Sequence, residues 1–580
     1  MRGLEESNCR RDTMKQHENY VFVSRSPRKA MSRALVLGAW LAAGVLATPA
    51  IAQEGNNQAE GPIVRTAEGP VRGFVKNGVG IFLGIPYAAP PVGNFRWRPP
   101  QPVGHWHQPL DATHYANTCS QVTELGAFAG PSSITEDCLY LNVFTSNLGQ
   151  NGQRNPVLVW IHGGGNVDGE SNDYDGTKLA TGGPGGSPTV VVTINYRLGL
   201  FGFLAHPALD NEDHPFANYG ILDIQAVLQW VQRNIEAFGG DPGRVALGGQ
   251  SAGSVDTGAN LVSPLAAGLF NRAILQSAPW SSSLFYFPLS VGLTNGKAFA
   301  VAAGCPGEDA AAAACLRALS APRILQLQGT PNASSPYVTG TMVDGTIIPI
   351  VPETAYATGQ FNKMPIMGGN THDELTFSNA ISEYFSGPPQ VPMTAAQYVA
   401  SITSSYPPAT AAAVLAEYPL ANYPSPQLAS SAAGTDPLIA CQPRHVVHLL
   451  AKWVPVYQYE FNYPGAPYYF PDMPGFVPLA SHTSDIQFLF PGWHGGQLGV
   501  NSRSLNAQET RLSDQLVAAW TNFARTGNPN GSGNSPWPQF TNQAGAPAIL
   551  SQNVPSSGTL TDVQFAGNHH CAFWDPILGY

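Results

Sequence analysis

The segment Val245-Ala246-Leu247-Gly248-Gly249-Gln250-Ser251-Ala252-Gly253 constrains this chain more than any other. A short apolar run meets two glycines, and Ser251 follows inside a Gly-x-Ser-x-Gly pentapeptide. That order describes a buried strand entering a sharp turn before a helix, with the serine hydroxyl lifted clear of the sheet. The residues two positions either side of such a serine must be small, because the turn brings backbone against backbone. The pentapeptide alone is a weak signal in a chain holding 61 Gly. Its place directly after a strand gives it weight.

Pro156 to Ile161, Thr189 to Ile194, Ala273 to Leu275, Pro365 to Met367 and Val454 to Phe461 are further short apolar runs of strand character. Ile224, Val227, Leu228, Val231 and Ile235 recur at helical spacing ahead of Gly239-Gly240-Asp241-Pro242, and Glu509 to Ala524 reads as a late helix. Apolar strands alternating with helices predict an α/β chain with a mostly parallel sheet covered on both faces. Charged residues make up only 11% of the 580, while hydrophobic residues reach 43%. That balance fits one large, loop-rich domain with a sizeable core, and no linker interrupts residues 61–580. The stretches at 181–188 and 531–536 read as loops.

The start of the chain is different. Arg25, Arg28, Lys29 and Arg33 precede an apolar run from Ala34 to Leu46, and Ala50-Ile51-Ala52 has the form of a signal-peptidase site. Residues 1–52 therefore read as a leader, with a true start at Met14 or Met31 equally compatible, and 53–580 as the mature domain. The run is too short to span a bilayer, and no later window is apolar enough, so no membrane anchor is expected. Taking the leader's eight Lys and Arg from 28, and its four Asp and Glu from 38, leaves a net charge of about −14. Such a surface, without a basic patch, excludes nucleic acid as a partner. Six cysteines remain after Cys9 is lost with the leader, which suits an oxidising, secreted or periplasmic destination.

His162-Gly163-Gly164-Gly165 follows the Pro156–Ile161 strand. Consecutive glycines let backbone N–H groups reach into a site without interference from side chains. With the N–H of Ala252, those of Gly164 and Gly165 would form an oxyanion hole for the carbonyl that Ser251 attacks. No metal or cofactor is needed for that chemistry. His569-His570-Cys571 offers metal-ligating types, but a cysteine committed to a disulfide is a poor ligand.

These motifs and their neighbours carry a resemblance. Phe82-Leu83-Gly84-Ile85-Pro86-Tyr87-Ala88, Glu136-Asp137-Cys138-Leu139-Tyr140-Leu141-Asn142-Val143, Asn195-Tyr196-Arg197-Leu198-Gly199 and Trp520-Thr521-Asn522-Phe523-Ala524-Arg525 occur in order around the serine. From about Gly69 to Pro576 the chain resembles the type B carboxylesterases, the group that includes the cholinesterases. The resemblance implies the α/β-hydrolase fold, ester hydrolysis on small-molecule substrates without a cofactor, and a Ser-Glu-His triad. Glu374 stands at the family's acid position, with Asp373 beside it in reserve, and Leu375 replaces the usual Gly. His482, in Ser481-His482-Thr483-Ser484-Asp485, matches the family's base. His445, His448 and His494 are the competing histidines, while His372, beside the acid, reads as a surface-loop residue. The resemblance also implies the pairs Cys119–Cys138, Cys305–Cys315 and Cys441–Cys571.

Two departures bear on substrate. Gln250 stands where many members have Glu, which removes a carboxylate suited to choline esters. Asn166 stands where an aromatic residue usually follows the glycines, so a more polar or roomier acyl wall is expected. The segment from Asn166 to Gly176 is similar to bacterial members, including those that remove side-chain esters from fumonisin. Two rival classes remain: a binding or adhesion protein of the same lineage, and a lipase or amidase of the same fold. The intact Ser251, Glu374 and His482 argue against the first, and no apolar lid marks the second. Loops 279–289 and 464–479 are expected to carry pocket residues.

Overall fold

In the computed structural model the described residues are 61–122, 130–148, 152–278, 280, 285–329, 337–493, 503–532, 534–543 and 545–580. The leader, its Ala52 site, the candidate starts Met14 and Met31, and His494 lie outside them. From Gln58 to Tyr580 the chain forms one compact unit.

An 11-stranded sheet organises it. In chain order its strands are β1 (Phe74–Lys76), β2 (Val79–Pro86), β3 (Tyr140–Thr145), β4 (Asn155–Ile161), β5 (Val190–Ile194), β6 (Gly240–Gln250), β7 (Arg272–Gln276), β8 (Ile366–Thr371), β9 (Val456–Phe461), β10 (Pro547–Gln552) and β11 (Gly558–Thr561). Their spatial order is β11-β10-β9-β8-β7-β6-β4-β5-β3-β2-β1. The run from β5 through β4 and β6 to β10 is parallel. Both flanks are antiparallel: β1, β2 and β3 on one side and β11 on the other. The sheet is mostly parallel as the apolar runs imply, and the antiparallel edges were not legible from them.

Successive strand side chains point to opposite faces, and here both faces are dry. Val157, Val159 and Ile161 of β4 join one core with Ile224, Val227, Leu228 and Val231 of helix α1 (Tyr219–Asn234). Leu158 and Trp160 join a second core on the other face with Leu516, Trp520 and Phe523 of the long helix Ala507–Thr526. Helix α2 (Ala252–Val262) follows β6 directly, and helix α3 (Thr376–Tyr384) follows β8 after one short loop. Disulfides join Cys119–Cys138, Cys305–Cys315 and Cys441–Cys571. Among the described residues, no helix is long and apolar enough to cross a membrane.

Candidate active site

Ser251 follows β6 and caps α2 at φ 58° and ψ −125°. That conformation costs a serine about 1–3 kcal/mol, and close packing enforces it. A Cβ on Gly249 would stand 2.4 Å from the Gly253 carbonyl oxygen, and one on Gly253 2.2 Å from that of Ile161. The Ser251 N–H donates to the Gln276 carbonyl of β7 at 2.9 Å, which ties the turn to the sheet.

The loop after β8 carries Glu374, which is fully buried. One carboxylate oxygen accepts the Thr371 N–H at 2.7 Å, and the other hydrogen-bonds Nδ1 of His482. The Glu374 carbonyl also accepts the His482 N–H at 3.2 Å. On the far side of the ring, the Gln250 amide nitrogen lies 3.1 Å from Nε2. Phe377 of α3 supports the ring, with centroids 5.4 Å apart. Asp373 points elsewhere: it accepts the Ala480 N–H at 3.2 Å and pairs with His372 at 3.2 Å. Leu375 fits where the family has Gly because its φ is −83°, a conformation that needs no glycine.

Gly163, Gly164 and Gly165 line the same pocket as Ser251 and His482. Gly164 and Gly165 take φ of 110° and 62°, values that favour glycine. Ala252 opens α2, where the first amides of a helix have no intrahelical acceptor. Glu170, Asp173, Tyr174 and Trp493 form much of the remaining wall. None of residues 464–479 lines it, contrary to expectation; Phe470 backs Phe377, with centroids 5.9 Å apart, and Tyr469 backs Trp493, with centroids 5.2 Å apart.

Asn166 also corrects the expectation drawn from it. Its side chain turns away from the pocket, donating to Asp256 at 3.1 Å and accepting from the Tyr196 hydroxyl at 3.0 Å. Burial pushes the Asp256 carboxyl up to about 7, against the pull of its hydrogen bonds to Asn166 and Tyr196. Beneath the His482 loop, Asp485 accepts from Gln276 at 3.1 Å and Tyr459 at 3.2 Å. Burial, then the charge of Glu374, raises it to about 6. His162 is neutral, lowered by burial to about 4, and stacks on Tyr196 behind the glycines.

The rival histidines sit in other structures. His445 stacks on Tyr580, and His448 bonds Asn542 and Asp562. His372, Glu460 and His569 could offer three metal-ligand atoms within 4.8 Å of one another. However, both nitrogens of His569 are engaged, with Asp436 at 2.8 Å and with Glu460. Burial works to lower its pKa, but the charge of Glu460 and the bonds to Asp436 and Glu460 raise it to about 10. As it stands, the cluster is a buried ion network. Cys441 and Cys571, in a second such group, are bridged to each other.

The model of the carboxylesterase family matches residues 60–574. This chain belongs to the carboxylesterase family. It is 32% identical to mouse (Mus musculus) carboxylesterase 1E over 89% of this chain and 94% of that one. It is 34% identical to the fumonisin B1 esterase of Sphingopyxis macrogoltabida over 88% and 90%. A medium-chain fatty acyl-CoA hydrolase precursor from Anas platyrhynchos is 33% identical over 88% and 92%. This carboxylesterase is a carboxylic ester hydrolase of the α/β-hydrolase fold, acting on small esters.

Asp256 has no signal in the sequence, since its partner Asn166 lies far away in the chain, whereas Asp485 lies in the segment that marked His482. Glu170 and Asp173 lay in a segment noted only for its bacterial character.

Proposed function

We propose that this carboxylesterase works through an acyl-enzyme on Ser251, with His482 as base, Glu374 as the partner of His482, and the N–H groups of Gly164, Gly165 and Ala252 as the oxyanion hole. One observation carries the reading: Ser251, His482 and the glycines line a single pocket, while the other nitrogen of His482 bonds a buried carboxylate. Ser251 Oγ attacks the ester carbonyl as its proton passes to His482 Nε2. Glu374 stabilises the imidazolium that results, and the oxyanion is held by the backbone amides. Collapse expels the alcohol, which takes the proton from His482. Water then repeats the sequence, releasing the acid and restoring the serine.

Residues 1–52 are the proposed leader, cleaved near Ala52, and 53–580 the exported single domain. The three disulfides support an oxidising destination. A lean to bulky esters, such as fumonisin-type side-chain esters, rests on the segment Asn166–Gly176 and on the relative that carries that name.

The test is hydrolysis of a graded series of p-nitrophenyl esters by protein beginning at Gln53, beside Ser251→Ala. Turnover by the parent and a loss of at least about 10⁴-fold in the variant is expected. Activity surviving in Ser251→Ala would remove the serine from the mechanism.

A further inference from the structure

The carboxylate that Gln250 lacks is present in another wall of the pocket. A short helical turn, Ser171–Asp173, brings Asp173 to the cavity beside Glu170, and both line it together with Ser251 and His482. Among the described residues no Lys or Arg is in that lining, and none of them adds a cationic contribution to either acid. Glu170 is committed: its carboxylate accepts from Thr118 and from Asn172 at 3.1 Å. Asp173 is not: among the described residues its carboxylate has no hydrogen bond or ion pair. A partly buried carboxylate with a second carboxylate beside it and no counter-ion is costly for a fold to hold. It lines the same cavity as Ser251.

Resting on the triad reading above, we infer that Asp173, backed by Glu170, is a specificity-determining residue that binds a positively charged group of the ester, a protonated amine or quaternary ammonium. The aromatic rings of Tyr174 and Trp493 in the same wall suit such a cation, which is attracted to ring faces as well as to carboxylates. The site thus presents negative potential to substrate from the Gly169–Tyr174 segment rather than from the residue before the nucleophile.

The preference follows pH with a fixed sign. Burial, then the charge of Glu170, raises Asp173 to about 7. Among the described residues the groups around it are Glu170, Tyr115, Tyr174, Asp175 and His482, none of which adds a permanent positive charge. Asp173 is therefore neutral below about 7 and anionic above it, so selectivity for a cation grows as pH rises through that value.

The experiment compares isosteric esters within each variant, so the amount of folded enzyme cancels. One pair is p-nitrophenyl 4-(trimethylammonio)butanoate and p-nitrophenyl 5,5-dimethylhexanoate, and the other is choline and 3,3-dimethylbutyl butanoate. At pH 8 the cationic ester of at least one pair should lead in kcat/KM by about tenfold, the effect of one poorly screened charge. That ratio should fall toward unity in Asp173→Asn, persist in Asp173→Glu, and shrink in the parent at pH 6. A ratio at or below unity in both pairs, or one unchanged in Asp173→Asn, overturns the inference. Calorimetric binding of benzyltrimethylammonium to Ser251→Ala protein is independent of turnover. Binding that weakens about tenfold in Ser251→Ala/Asp173→Asn supports the cation site even where the triad assignment fails, and absence of binding in Ser251→Ala counts against it.

Discussion

Asp256 shows how much a single residue can be asked to hold. It lies on α2, five positions after the nucleophile, and fastens Asn166 at the end of the glycine run. Its pKa of about 7 means that the folded chain keeps a proton which the unfolded chain gives up near 4. Stability contributed by that group is therefore full at acid pH and falls as pH rises from about 4 to about 7. Asp256→Asn, which imitates the protonated acid, should melt with the parent at pH 4 and roughly 1–3 kcal/mol above it at pH 8. Melting followed by circular dichroism at the two pH values measures the difference. An equal offset at both would assign Asp256 a packing role only. None of this was visible from residue types, because an aspartate in a helix reads as a solvated face until the helix is placed against the oxyanion loop.

At the scale of elements, the strand–turn–helix of β6 and α2 and the glycine loop after β4 use glycine for two different reasons. Gly253 lacks space: its Cβ would meet the backbone of Ile161, which cannot move without shifting β4. Gly165 lacks only a favourable φ, since the nearest atom to its Cβ would be a Val167 methyl at 3.7 Å. Gly253→Ala should cost more than about 3 kcal/mol or prevent folding, whereas Gly165→Ala should cost about 1–2 kcal/mol. Urea denaturation of the two variants tests the contrast, and equal losses would refute it. Both glycine motifs were legible in the chain. Their reasons were not, because the clash at Gly253 is with a strand about ninety residues earlier.

Across the whole molecule, the Cys441–Cys571 bridge spans 130 residues and Cys305–Cys315 only 10. If chain entropy governs, replacing the first pair by Ser should cost about 5 kcal/mol and the second about 3 kcal/mol. Denaturant midpoints of the two double variants decide it, and a reversed order would show that strain or residual structure outweighs loop length. Near the long bridge, the His569 carbonyl faces Cys441 Sγ at 3.3 Å, and the His569 ring lies 5.1 Å from that of His372, two residues before Glu374. The C-terminal helix and the acid loop are thus packed through one ion network. By itself the sequence determined the periodic apolar runs, the strand–serine–helix junction and the family to which they belong, because those are properties of neighbouring residues. Only the tertiary structure decided that Glu374 and not Asp373 meets His482, that Asn166 turns away from the pocket, and that Asp173 lines the pocket beside Glu170 with no partner among the described residues. Each of those depends on which distant segments share a low-dielectric space, and the local sequence carries no record of that distance.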